Sequence, residues 1–299
     1  MTDADKHVPA ARGTNTLAPE WRRWVVENLL RGAEVDDLVS VLERSGVDSA
    51  LARAAVHAEA EDPCYQGAAR AVAMQRKLEG LLDLYGDLHR QSPGHTHVPR
   101  HDALTPEDFF ERYYFQNLPV VARATVLADA GSKDTLGQLG ALARVAEATS
   151  VSPGAFVVPA SANVTSRLPV RAPQGLVLES APVGLWWEEP GADVPLAPSR
   201  RNMLLGQVHG RRLLQLVPAY ALHRVLGSAS VPEDVPRMEV ELSPGELLLL
   251  PVGWWFAHRS PEGGAAIVFE SFAAPEPNVS WTPRPESREP TPPPRSRVD

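Results

Sequence analysis

From Leu17 to about Leu88 the apolar side chains recur every three or four positions, with Trp21, Trp24, Val25 and Leu29 in a first run and Leu38, Val41 and Leu42 in a second. This is the period of helices that bury one face, and it predicts three or four of them. In "LAPEWRRWVVENLLRG" Pro19 suits a first helical turn, Glu20 complements the positive end of the helix dipole, and Gly32 stands where a helix would stop. The stretch "QSPGHTHVPRHDALTPEDFFERYY" is broken by Pro93, Gly94 and Pro99; Thr105, Pro106 and Asp108 then fit N-cap, first turn and capping-box acceptor of a helix that turns Phe109, Phe110 and Tyr113 inward. Beyond Pro119 short apolar runs such as "AFVVPAS", "NMLLGQV", "RLLQLVP" and "AAIVFESF" alternate with Pro, Gly and Ser, the pattern of a β-sandwich or barrel, with a helix expected over 135–149. The fold class is α+β. Its expected order is a disordered arm over 1–16, a helical region over 17–90, a linker over 91–104, a barrel domain over 105–273 and a disordered Pro-rich tail over 274–299 in which Trp281 is an isolated anchor.

Composition narrows the function classes. A formal net charge of -8 disfavours a phosphate-tracking surface, so nucleic acid is not an expected partner, although Arg200, Arg201, Arg211 and Arg212 form a local basic cluster. No apolar stretch approaches the roughly 18 to 20 residues of a membrane span, and no membrane partner is expected. The polar start "MTDADKHVPAARGTNT" lacks the apolar core of a secretory signal, and Cys64, the single cysteine, has no internal disulfide partner, which together point to the cytoplasm.

Two segments carry a more specific signal. "LWWEEPGADVPLAPSRRNMLLGQVHGRRLLQLVPAY", Leu185 to Tyr220, and "ELSPGELLLLPVGWWFAH", Glu241 to His258, together resemble the cupin-like, JmjC-type branch of the Fe(II)/2-oxoglutarate-dependent oxygenases, a double-stranded β-helix family. The leading "EWRRWVVENLLRG" and "EDFFERYYFQNLPVV" also resemble the helical lead-in and barrel entrance of bacterial members, so the resemblance covers about Leu17 to Phe272. It implies a jelly-roll barrel in which a His-x-Asp pair follows a Val-Pro-Leu lead and a second His follows paired aromatics. Residues i and i+2 of a strand share a face, which is how such a triad leaves three coordination positions open. In this sequence the pair becomes Ala197 and Ser199, and the third ligand position becomes Phe256. The frame is kept and the donors are gone.

The remaining candidates divide by position. A lysine that binds the co-substrate carboxylate in the family matches Arg212, which would hold either a small acid or an internal salt bridge to Glu270 or Glu188. Strand parity through that position turns residues 204, 206, 208, 210 and 212 inward and leaves Gln207, His209 and Arg211 outside. Asn202 is the nearest match to a pocket asparagine of the family, and His258, two residues after Phe256, shares its inward face. Glu188, Glu189, Asp193 and Glu270 are available carboxylates without a recognised ligand spacing. His95, His97 and His101 in "GHTHVPRH" imitate a metal cluster but lie in the broken linker, which offers little scaffold for ligands.

The reading is therefore a cupin-like JmjC-type protein that has lost iron-dependent oxygenase activity and binds a small carboxylate ligand or a protein partner, with no cofactor expected. The alternative is an active 2-oxoglutarate-dependent oxygenase with Fe(II) in a relocated site involving His258. A homodimer formed through the helical region is compatible with the first reading.

Overall fold

The computed structural model describes residues 16–92, 94, 96–127, 132–145, 147–162 and 164–281. The chain divides into two compact units, 1–82 and 83–299. The arm over 1–15 and the tail over 282–299 lie outside the described residues.

The first unit is helical. Helix α1 (Pro19–Arg31) ends on Gly32, whose left-handed φ of 95° lets its N–H bond back to Leu29. Helices α2 (Val35–Arg44) and α3 (Ser49–Glu61) follow, the latter capped by Asp48, which accepts from the Leu51 N–H. Val25, Leu29, Leu38, Val39, Leu42, Ala52 and Val56 form their shared core. The 28-residue helix α4 (Pro63–Arg90) starts in this unit, and its last residues, from Asp83, belong to the second. The boundary falls earlier than the helical pattern implied because the ring of Tyr220 lies against Gly86, where a Cβ would come within 3.2 Å of it.

The second unit is a two-sheet β-sandwich. Strands β1 (Arg100–His101), β2 (Val120–Arg123), β3 (Thr149–Ser152), β4 (Ala155–Val158), β5 (Gly184–Glu188), β7 (Met203–His209), β10 (Glu246–Leu250) and β12 (Gly264–Phe269) build the large sheet in the order β1-β2-β10-β7-β12-β5-β4-β3. Strands β6 (Ala192–Pro198), β8 (Arg212–Val217), β9 (Met238–Leu242) and β11 (Trp255–Ser260) build the small one in the order β6-β11-β8-β9. Period-2 alternation gives the large sheet two cores. Leu205, Leu248, Ala266 and Trp186 face the small sheet, where they meet Leu214, Leu216 and Phe256. Leu204, Val208, Leu247 and Ile267 face the opposite side and pack with Phe109, Tyr113 and Leu139.

Those last residues come from α5 (Pro106–Phe109), continued by a wider turn over Phe110–Tyr114, and from α6 (Lys133–Leu142). The expected capping box is present, with the Asp108 N–H donating to Thr105 Oγ1 at 3.1 Å. Helix α6 is shorter than the 135–149 expectation: Ser132 caps its start, the chain turns after Leu142, and Thr149 already belongs to β3.

Two boundaries are corrected. Arg100 and His101, placed in the linker, pair in parallel with Val121 and Ala122, because Pro99 leaves its carbonyl free to accept from the Val121 N–H. Residues 274–281, placed in the disordered tail, run back along the barrel: Asn278 donates to the carbonyls of Asn202 and Glu270, and the Trp281 N–H donates to the Arg200 carbonyl at 2.7 Å. Among the described residues no helix is long and apolar enough to cross a membrane.

Candidate functional site

The two strands that carry the family-like segments are neighbours. β11 pairs antiparallel with β6, and Phe256 stands directly opposite Ala197. A register shift then brings His258 opposite Val194, so that three residues of β6 span two of β11. Val194, Ala197, Phe256 and His258 consequently line one small cavity inside the barrel. The positions that the resemblance assigns to metal ligands are therefore brought together, although their side chains bring no donors. Ser199, just past the strand, is buried, and its hydroxyl donates to the Arg201 carbonyl at 2.7 Å. Methyl, phenyl and a committed hydroxyl do not fit an iron centre.

What fills the interior instead is a buried polar network. Arg212 is fully buried on β8. Its Nε donates to Glu188 Oε2 at 3.2 Å and its Nη2 lies 2.9 Å from Oε1 as an ion pair, while neither Nη atom makes a hydrogen bond. Glu188 also accepts from Ser260 Oγ and from His258 Nε2, the latter at 2.6 Å. The guanidinium lies 5.2 Å above the ring of Trp186, which stacks on His258 at 5.4 Å. Phe256 in turn is nearly parallel to the His258 ring, at 6.1 Å and 11°. The backbone of β12 can approach this cluster because Gly264 has no side chain: a Cβ there would meet Glu188, Gln207 and Ser260 within 3.4 Å.

Charge in the cluster balances. Burial alone would raise the Glu188 carboxyl, but Arg212 together with the His258 and Ser260 hydrogen bonds more than offsets it and holds the group well below the usual carboxylate range. His258 is pushed down, first by its burial and also by the Arg212 charge, against the opposing pull of Glu188 and, more weakly, Asp193. A neutral imidazole that donates through Nε2 leaves Nδ1 as an acceptor, and that atom has no partner.

A lowered His258 pKa means that the unfolded chain holds the proton more tightly, so its contribution to stability is present above about pH 6.5 and is lost as pH falls below it. Wild type is expected to lose stability between pH 7.5 and 5.5 more steeply than His258→Gln, by up to about 1.4 kcal/mol per pH unit. Urea midpoints for both proteins at the two pH values provide the check; parallel slopes would contradict it.

The other candidates scatter. Of the two acids proposed for Arg212, Glu188 is the partner; Glu270 instead pairs with Arg201 at 3.2 Å. Asn202 is a loop tie rather than a pocket residue, since its Oδ1 accepts from the Val252 N–H at 2.9 Å. The parity assignment holds for Arg212 but fails for β7. Gln207 is buried beside Glu188 and Ser260, and Leu204 and Val208 face the helical layer, because Gly210 adopts φ 64° and the turn resets the alternation before β8 begins. His101 shares a hydrogen bond of 2.6 Å with the Tyr113 hydroxyl, and His95 lies outside the described residues. Among the described residues no group of three His, Cys, Asp or Glu side chains could hold a metal. Ser260 and Gln207 were missed. Ser260 could have been found, because it continues the face of Phe256 and His258 with period 2.

No protein-family model matches this chain, and no curated protein matches it. Among solved structures it is similar to the ribosomal oxygenase YcfD from Escherichia coli, at 20% identity over 59% of this chain and 53% of that one, with a TM-score of 0.39. YcfD structures with cobalt and succinic acid and with cobalt and 2-oxoglutarate are similar at 19% identity over the same shares, with TM-scores of 0.38 and 0.37. This chain spans about half the length of those proteins.

Proposed function

We propose that this protein is a JmjC-type barrel without iron-dependent oxygenase chemistry that works as an interaction protein rather than as an enzyme. The observation that supports it is the register pair Ala197–Phe256, which puts an alanine and a phenylalanine where the resembling family needs ligands. The Arg212–Glu188 pair argues in the same direction. The charge that would receive a co-substrate acid is already neutralised by a carboxylate of the chain itself.

Space favours a macromolecular partner over a small acid. The cavity left inside the barrel is about 90 Å³, whereas ligand pockets run to roughly 300 Å³ and more. A larger groove of about 820 Å³ lies on the outer face of the small sheet, but Asp193, Glu239 and Glu241 line it against a single cation, Arg259, and disfavour a carboxylate there. Iron and 2-oxoglutarate have no part in this reading.

Anaerobic calorimetric titration of metal-stripped protein with Mn(II) or Fe(II), with and without 2-oxoglutarate, is expected to give no stoichiometric heat, and aerobic incubation with both is expected to produce no succinate. One tightly bound equivalent of metal together with turnover would overturn the proposal.

A further inference from the structure

Two breaks in strand register meet at one cavity. On β3 the residues Ser150 and Ser152 stand opposite Phe156 and Ala155, which leaves Val151 as an extra residue. On β6 and β11 the pairs Ala197–Phe256 and Val194–His258 enclose the second irregularity. An extra residue bends its strand and interrupts the ladder, and such bulges recur beside functional sites. Val151, Ala155 and Phe156 from the first break and Val194, Ala197 and Phe256 from the second all line the same space between the sheets. The gap is therefore set by the backbone rather than by the rotamer of one side chain.

The chemistry of the wall is uniform. Glu188 and His258 also border the space, but the Glu188 carboxylate engages Arg212, His258 and Ser260, and His258 Nε2 engages Glu188. What the cavity presents is apolar throughout. A water molecule needs two to four polar partners to be held in such a space and finds none on this wall. A carboxylate would lose its hydration without gaining a hydrogen bond. An apolar occupant instead leaves water and supplies the dispersion contacts that atoms around a void lack. The way in lies along the edge strand β3, whose Val151 is 46% exposed.

We propose that this cavity is a binding site for a small neutral apolar molecule, of the class of a short hydrocarbon or an apolar gas. Its volume is about 90 Å³, and at a liquid share of roughly 30 Å³ per water it admits a molecule of about three to five non-hydrogen atoms. So few atoms limit the affinity to a dissociation constant on the order of 1 mM. The site thus differs in size and in chemistry from one for a co-substrate acid.

Xenon is the probe. Methyl-resolved NMR spectra of the full chain under rising xenon pressure are expected to show saturable shifts concentrated at Val151, Ala155, Val157, Val194 and Ala197, whereas acetate is expected to leave these methyls unmoved. Ala197→Leu, which extends a side chain into the space, is expected to abolish the xenon shifts with the circular dichroism of the barrel retained; Leu226→Ala, at an exposed leucine away from the cavity, is expected to keep them. Should the larger side chain prevent folding, Ala197→Val narrows the same space with a residue suited to a strand and is expected to weaken xenon binding severalfold. Shifts that never saturate, that spread over the rest of the barrel, that survive the substitutions at Ala197, or that acetate reproduces would overturn the proposal. None of these readouts involves metal or turnover, so its failure is separable from a failure of the reading that oxygenase chemistry is lost.

Discussion

Glu188→Ala is expected to lower the unfolding free energy by about 3–5 kcal/mol, because it strands the Arg212 charge in a site that water does not reach. The loss would come from the guanidinium more than from the missing carboxylate. The neighbours left to it are the Trp186 ring and His258, which burial pushes toward its neutral form. The paired substitution Glu188→Leu/Arg212→Met removes both charges and keeps the volume, so it is expected to recover most of the loss or to exceed wild type. Urea unfolding of the three proteins measures this as a shift in midpoint at constant slope. A single substitution that costs under about 1 kcal/mol would mean that water enters the cluster and that the interior is not sealed.

The same pair marks how far the sequence could be read. The resemblance to the family places Arg212 in the interior, at the position of its lysine, and leaves two acids open as partners, Glu188 and Glu270. The choice between them depends on how the sheets face one another. Glu188 ends β5 in the large sheet and Arg212 begins β8 in the small one, and such a contact across sheets leaves no periodic trace in the chain. Local chemistry was more legible: Gly32 stops α1 and Thr105 caps α5, whereas the register pairing of Ala197 with Phe256 is a contact between strands that no local motif announces. Parity failed at Gly210, where a left-handed turn resets the alternation, and so Gln207 was assigned to the wrong face.

Phe256→Ala is the second substitution expected to be severe, costing about 3–5 kcal/mol. Phe256 is buried in the core between the two sheets, with Trp186 at 5.6 Å and His258 at 6.1 Å. Truncation removes a ring from the middle of that stack and adds its volume to a cavity that already exists beside Ala197. The backbone has little freedom to collapse into the gap, because β11 is hydrogen-bonded on both sides, to β6 and to β8. A urea midpoint measured with the near-ultraviolet signal of the tryptophans would report both the lost stability and the loosened Trp186, and a loss below about 1 kcal/mol would show that the ring is not part of the core. Phe256→His keeps a flat ring but leaves a polar nitrogen without a metal to bind, since Ala197 opposite offers no second donor. It is therefore expected to fall between wild type and the alanine variant in stability and still to bind no iron. Phe256 in this way joins the two sheets, and exchanging it for a donor side chain would weaken the barrel before it supplied any metal chemistry.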